Sequence, residues 1–144
     1  MKKTLVALTL AAVVAVGVSA GGASANHSWS TYHWARTANP FTLKVGNNLS
    51  SSWTQYLTNT SAAWNNSSVL QTSVVAGQAG KRCKGTSGRV QVCNGTYGNN
   101  GWLGVASISL SGGHIALGTV KVNDTYFNTS TYNNPNEREH VMCQ

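Results

Sequence analysis

The sequence predicts an α+β fold, a mixed five-stranded sheet with helices packed on it. Five segments alternate apolar and polar residues or are rich in β-branched residues, and two segments place apolar residues at helical spacing. Their order is strand, helix, four strands and helix, without an internal repeat, which suits one sheet covered by helices. The chain has 144 residues, enough for one domain and too few for two.

The N-terminus, residues 1–25, has the pattern of a secretory signal peptide. A basic MKK precedes the apolar run TLVALTLAAVVAVGV and the small residues SAGGASA, with an Ala-x-Ala cleavage site that ends at Ala25. A second possible site ends at Ala20. A transmembrane helix is disfavoured because the apolar run is short and no basic flank follows it. We therefore expect a secreted, extracellular protein of residues 26–144 that has no membrane contact after cleavage.

The first predicted strand covers residues 41–46, where FTLKVG alternates apolar and polar positions. A helix is predicted over residues 51–65, from capping residues at 48–52 and from near-helical spacing of large apolar residues between Trp53 and Trp64. Ser, Thr and Asn lower the helical propensity of this segment, so packing must stabilise it. We therefore expect both tryptophans to lie in the core.

Four more strands are predicted from the same kinds of pattern. They are VLQTSVVAG at 69–77, GRVQVCNGTYG at 88–98, GWLGVASISLS at 101–111 and HIALGTVKVND at 114–124. The dipeptide Gly112-Gly113 separates the last two strands, and paired glycines favour the tight turn of a β-hairpin. We expect the fourth and fifth strands to be antiparallel neighbours.

The C-terminal segment is predicted to begin a second helix after a loop that contains Tyr126 and Phe127. Pro135 marks the helix start, and Glu137 and Glu139 fall where the first turn favours negative charge. The sequence then stops at REHVMCQ, without a C-terminal glycine or a polar tail. We expect from this pattern that the chain is truncated inside the helix.

The chain has three cysteines, an odd number for an exported protein. Cys83 and Cys93 enclose a short loop with two glycines, and a disulfide between them would stabilise the fold by roughly 2.5–3 kcal/mol through loop entropy. Cys143 is then left over. It could be a free thiol, an intermolecular partner, or half of a bridge whose other half is absent.

The charge of the chain is mildly basic. Its net charge is +7, and removal of Lys2 and Lys3 with the signal peptide leaves eight Lys and Arg against three acids, a net charge of +5. The one cluster is Lys81-Arg82-Cys83-Lys84, which could touch a polyanion, although a solvated loop beside a disulfide is the favoured interpretation. No nucleic-acid-binding module is visible, so we expect no nucleic-acid partner.

The residue types needed for catalysis are sparse. The three carboxylates are Asp124, Glu137 and Glu139, and each has a structural role available at a turn or a helix start. His140 and Gln144 stand four residues apart on one helix face, but Val141 follows the histidine, so this is not H-E-x-x-H. We expect His140 to be a packed or capping histidine, and we assign no catalytic residue and no metal ligand.

Three tryptophans outside the helix have two interpretations. Trp29, Trp34 and Trp102 could form a sugar-binding platform, whereas large aromatic side chains are more often part of a core. The core interpretation is favoured.

Seven segments together carry a resemblance to a known family. They are YHWAR, SSSWTQYL, the Trp64-Asn65 pair, RVQVCNGTYG, GWLGVASISL, GTVKVNDTYF and REHVMCQ, in this order. The chain resembles the N-terminal portion of a secreted bacterial matrixin-like zinc metallopeptidase of the metzincin clan. The resemblance implies that residues 26–144 form the upper subdomain of a catalytic domain, with the sheet and first helix above the cleft.

The same resemblance implies a zinc cofactor in the full-length parent and none in this chain. In that family the last helix carries H-E-x-x-H-x-x-G-x-x-H, whose histidines bind zinc and whose glutamate activates the metal-bound water. Gln144 falls at or just before the first ligand position, so the motif lies beyond it and this chain should be inactive. If Gln144 replaces the first histidine, the parent also departs from the usual site. Cys143 would bridge to the lower half of the domain.

The resemblance also implies a substrate-binding edge. The matching stretch of the fourth strand is Leu103, Gly104, Val105, Ala106 and Ser107, along which an extended peptide or protein substrate would pair by β-augmentation. An ordinary sheet strand is the competing interpretation. Two other functions stay open: a small secreted β-rich module that binds a glycan or a peptide without catalysis, and a relic of an enzyme.

Overall fold

A computed structural model describes residues 30–144 of the chain. The predicted signal peptide and Trp29 lie outside the described residues. The elements are β1 (Phe41–Asn48), α1 (Ser51–Trp64), β2 (Leu70–Ala76), β3 (Arg89–Gly95), β4 (Gly104–Ser111), β5 (His114–Asn123), α2 (Asp124–Phe127) and α3 (Pro135–Cys143).

The five strands form one mixed sheet in the order β2-β1-β3-β5-β4. The pairs β1–β2, β1–β3 and β3–β5 are parallel, and β4 joins β5 antiparallel. Gly112 and Gly113 both have positive φ, 57° and 82°, as the tight turn between β4 and β5 requires. The α+β class, the five-stranded mixed sheet and the hairpin are therefore confirmed.

One face of the sheet, here called the helical face, is covered by α1, α2 and α3. The fully buried residues of its core are Trp53, Leu57, Val92, Val122, Phe127 and Met142. Side chains alternate along a strand, so every second residue of β3 and β5 is directed at the helices. Trp53 and Phe127 meet edge to face at 4.8 Å between ring centroids, a favoured aromatic geometry.

The buried Arg138 ties α3 to this aromatic core. Its guanidinium lies 4.4 Å from the Trp53 ring centroid and donates a hydrogen bond of 2.9 Å to the backbone oxygen of Phe127. The indole N–H of Trp53 in turn donates to Asp124 at 2.8 Å. The planar guanidinium can stack on a ring and donate sideways at once, which a lysine cannot do.

The opposite face of the sheet carries a loop, residues 77–88, here called the strap. A disulfide joins Cys83 of the strap to Cys93 of β3, as the cysteine spacing predicts. Ala79, Cys83 and Cys93 form a small buried cluster of their own. The strap has few apolar side chains, so the covalent bond and hydrogen bonds take over the part that hydrophobic burial plays on the helical face.

Those hydrogen bonds centre on Gln91, which is fully buried beneath the strap. Its side-chain oxygen accepts from Asn48 at 2.7 Å and from the backbone N–H of Gln78 at 3.2 Å, and its nitrogen donates to Thr86 at 2.8 Å. Asn48 also accepts from the backbone N–H of Ala79 at 2.9 Å. A buried amide that satisfies its donors and acceptors in this way fixes the strap on the sheet.

Two expectations about aromatic residues are wrong. Trp64 is 47% exposed, because it lies on the sheet-facing stripe of α1 but at the last turn, where no described element covers it. Tyr126 and Phe127 belong to the short helix α2, not to a loop, and Phe127 is fully buried. The Asn123 side chain caps α2 by accepting from the N–H of Thr125, which turns the chain back over the core.

Candidate functional site

The strand β4 forms one edge of the sheet. It pairs with β5 alone, and along its other side no strand lies among the described residues. The N–H of Asn123 donates to the oxygen of Leu103, so in the antiparallel ladder Val105 and Ser107 also bond towards β5. The backbone groups of Gly104 and Ala106 are therefore directed away from the sheet.

A cleft separates β4 from α3, with a volume of about 510 Å³. Four of the five predicted substrate-binding residues line it: Leu103, Gly104, Val105 and Ala106. Ser107 is exposed and lies outside the cleft lining. Leu103 precedes β4, and the other four belong to the strand. Most of the predicted set thus borders one space.

The opposite wall of the cleft is one face of α3, with Glu137, His140 and Gln144. Intervals of three and four residues bring the three side chains onto one side of a helix. Asn134 caps α3 by accepting from the N–H of Glu137 at 2.9 Å, and Pro135 occupies the first turn. The sequence predicts a packed or capping His140: it is exposed and borders the open cleft, so it is not packed, and it lies in the last turn of α3, where the capping alternative places it.

The helix α3 and the edge strand lie close to each other at Gly104. A Cβ atom added there would lie 2.7 Å from Cγ1 of Val141 on α3. A side chain at this position would therefore require Val141 or the helix to shift, and glycine permits the close approach of the two walls.

A residue that the sequence analysis did not single out, Asn123, shapes the approach to β4. It is fully buried, and its amide nitrogen donates to the oxygen of Gly98 at 2.9 Å, to Asn100 at 3.1 Å and to the oxygen of Trp102 at 3.3 Å. Its oxygen accepts from the N–H of Tyr97 at 3.0 Å. An asparagine between a strand and an aspartate is a helix-capping signal, and that signal could have found it.

Tyr97 lies beside this network and packs on Trp102, with 5.2 Å between ring centroids. Burial raises the pKa of the Tyr97 phenol above its ordinary value of 10.0, and the charge of Asp124 adds to the shift. The phenol stays neutral to a higher pH in the folded chain than in the unfolded chain. The stability that it contributes is complete below pH 10 and is lost as the pH rises through the folded-state pKa.

The residues around the cleft do not fit a zinc ion. Within residues 30–144, no three His, Cys, Asp or Glu side chains come together in the manner of a metal site. His140 and Gln144 offer one imidazole and one amide, short of the three protein ligands of a catalytic zinc. We therefore derive no hydrolytic step from this chain.

A second, apolar groove of about 230 Å³ lies on the helical face between α1 and the end of α3. Its floor includes Val90 and Val120, and Trp64 and Cys143 stand at its rim. Cys143 is an exposed free thiol. The sheet is thus covered less completely near Gln144 than around Trp53.

The described tryptophans do not form one platform. Trp34 pairs with Ile115 near the hairpin turn, whereas Trp102 precedes β4 at the far end of the hairpin. Among residues 30–144, no helix has the length and apolarity needed to cross a membrane. In the comparisons with known proteins, no family model, no curated protein and no solved structure matches the chain.

Proposed function

We propose that this chain is the N-terminal, substrate-binding portion of a secreted zinc-dependent endopeptidase that resembles the matrixin-like metzincins. The observation that carries the proposal is the free edge of β4, which faces α3 across the cleft. An edge strand offers unpaired N–H and C=O groups to another extended chain. The residues Leu103 to Ser107 form the docking stretch.

An extended peptide would lie in the cleft as a sixth strand. Gly104 and Ala106 offer their backbone groups to it, so affinity would come from main-chain hydrogen bonds. The peptide's alternate side chains would meet α3, where Glu137 and His140 are its polar neighbours. Small residues dominate β4, with Gly104, Ala106 and Ser107, and they let a second backbone approach closely.

Zinc enters this proposal through the family resemblance alone. In the proposed parent it would activate a water molecule for attack on the peptide bond. The described residues hold no zinc site, so we expect neither stoichiometric zinc nor peptidase activity from this chain. Secretion is part of the proposal as well and is supported by the signal-peptide pattern of residues 1–25.

Substitution of proline at the two sheet edges tests the docking stretch. Ala106→Pro removes an N–H that is directed away from β5, so the ladder is kept and only the docking edge is damaged. Val74→Pro is the matched control on β2: Gly77 donates to Asn47 in the β1–β2 ladder, so Val74 is directed away from β1.

The binding of fluorescent extended peptides is then measured by fluorescence anisotropy for the unsubstituted chain and both variants. We expect Ala106→Pro to weaken binding at least about tenfold, since one main-chain bond near 1 kcal/mol is lost and the proline ring stands where the docked strand must approach. Val74→Pro should bind the peptides with the affinity of the unsubstituted chain. Equal affinity in all three proteins, or no binding by the unsubstituted chain, would reject the docking edge.

A secreted β-rich module that binds a glycan or a peptide without catalysis is the second candidate, and the free edge of β4 supports its peptide-binding form because a docked strand needs no metal. Both candidates use β4, so peptide binding does not separate them. The nucleotide sequence after the Gln144 codon does. An open frame that encodes Glu and two further histidines at metzincin spacing supports the endopeptidase, whereas a stop codon supports the module.

A further inference from the structure

The basic residues of the described chain are concentrated on the strap side of the sheet. Residues 30–144 contain eight of the ten Lys and Arg, because Lys2 and Lys3 lie outside this range. Six of these eight belong to the strap or to strand positions on the same face. We call this set the basic face: Lys44, Lys81, Arg82, Lys84, Arg89 and Lys121.

The sheet register places Lys44 and Arg89 side by side and puts Lys121 farther along the same face. Lys44 on β1 is the partner of Arg89 on β3, and Lys121 on β5 is the partner of Cys93. Partners in adjacent strands share a face and stand about 4.8 Å apart. Lys44, Arg89 and Lys121 therefore share the face that carries Cys93.

The disulfide brings the strap cations to the same place. Cys83 is bonded to Cys93, and Arg82 and Lys84 flank it in the sequence. Lys81, Arg82 and Lys84 are all exposed. The covalent bond thus holds the backbone around Cys83 on the face that carries the strand cations, and less conformational entropy is lost when a ligand binds there.

The three carboxylates lie elsewhere. Asp124 accepts hydrogen bonds from Trp53 and Asn94, and Glu139 accepts from Asn59 of α1 at 3.2 Å, so both belong to the helical side. Glu137 borders the cleft beside β4. The Nε atom of Arg89 is buried without a hydrogen-bond partner. No carboxylate neutralises the basic face within the described residues.

We propose that the basic face binds an anionic polysaccharide. A surface with six cations and no acid attracts a polyanion strongly and over a distance. Binding of single-stranded nucleic acid also relies on aromatic side chains that stack on bases. Within residues 30–144, the six cations of this face have one cation–π partner, the ring of Tyr97, whose centroid lies 5.6 Å from Nζ of Lys121. The distribution of groups favours a sulfated or carboxylated glycan.

The site is separate from the proposed peptidase function. The basic face lies on the opposite side of the sheet from α3, and one of its residues, Lys121, is the register partner of Val105 in the docking stretch. A polymer bound at the strap and at Lys44 and Arg89, on β1 and β3, would leave the space beside α3 open, so the protein could be held on a glycan while a peptide occupies the cleft.

Heparin serves as the probe in a titration of the full chain. The test variant carries Lys81→Gln, Arg82→Gln and Lys84→Gln. The control variant carries Arg36→Gln, Ser51→Glu and Ala62→Glu, which lower the net charge by the same three units at exposed positions off the basic face. Far-UV circular dichroism checks that each variant is folded.

We expect the unsubstituted chain to bind heparin at about 50 mM salt. The logarithm of its affinity should fall linearly with the logarithm of the salt concentration. The test variant should lose at least about tenfold in affinity. The slope of its log affinity against log salt concentration should become less negative by about 2–3. The control variant should lose less than about threefold.

Three results would overturn the proposal. One is a failure of the unsubstituted chain to bind heparin at about 50 mM salt. Another is equal loss in the test and control variants, which would mean that net charge alone acts. The third is oligothymidine of matched charge binding as tightly as heparin, which would point to a nucleic acid.

Discussion

On the helical face of the sheet, Trp53, Phe127 and Met142 bury large apolar side chains against the strand valines. On the strap face, a disulfide and the hydrogen bonds of Gln91 secure a loop whose small apolar cluster consists of Ala79, Cys83 and Cys93 of β3. The same strands thus carry a hydrophobic core on one side and a cross-linked polar cover on the other. The difference leaves the strap face free to carry exposed charge, because its cohesion does not depend on apolar burial.

The helical face should show the largest loss of stability on truncation. Phe127→Ala removes a fully buried ring that contacts Trp53 and Tyr132, and we expect the free energy of unfolding to fall by about 3–5 kcal/mol. Chemical denaturation monitored by tryptophan fluorescence measures it. Leu110→Ala, at a position 42% exposed, is the control and should change stability by less than about 0.5 kcal/mol. Similar losses in the two variants would contradict the assignment of the core.

The strap face should depend on its covalent bond to a lesser extent. Replacement of both Cys83 and Cys93 by Ser should lower the free energy of unfolding by about 2.5–3 kcal/mol, because the unfolded chain regains the entropy of an open loop. The near-ultraviolet circular dichroism of the Trp53 environment should persist in the variant. A double variant as stable as the unsubstituted chain would show that the strap is held by its hydrogen bonds alone.

The smallest effect should come from the buried amide beneath the strap. Gln91→Leu keeps the approximate volume but removes the acceptor of the Gln78 N–H and one acceptor of Asn48, which still donates to the backbone oxygen of Gly46, and we expect a loss of about 1–3 kcal/mol. Thermal and chemical denaturation both report it. Gln78→Ala removes an exposed side chain and keeps the backbone N–H, so it should be nearly neutral. An equally stable Gln91→Leu variant would mean that strap hydrogen bonding contributes nothing net.

Local chemistry made the elements and the disulfide predictable. Alternation in FTLKVG predicted β1, the glycine pair predicted the hairpin turn, and the spacing of Cys83 and Cys93 predicted their bond. Each of these features depends on neighbours within about a dozen residues. The burial of Trp53 followed from helical spacing, but the same spacing failed for Trp64, because the end of a helix is covered only if another element reaches it.

The candidate site was predictable only in part. The family resemblance pointed to Leu103 to Ser107, and the structure places four of these five residues on the cleft. It did not reveal that Asn123 holds the loop before β4, since the partners Gly98, Asn100 and Trp102 lie more than twenty residues away along the chain. Contacts of that kind have no local signature beyond the capping pattern at Asn123 itself.

The α+β class, the approximate strands and helices, and the loop closed by Cys83 and Cys93 follow from the amino-acid sequence, because periodicity and turn chemistry act over short distances. The three-dimensional arrangement was needed to see that β4 is an edge, that α3 faces it across a cleft, and that Lys44, Arg89 and Lys121 share a face with the strap. The order of strands in a sheet and their register are set by long-range packing, which joins residues that no local pattern connects.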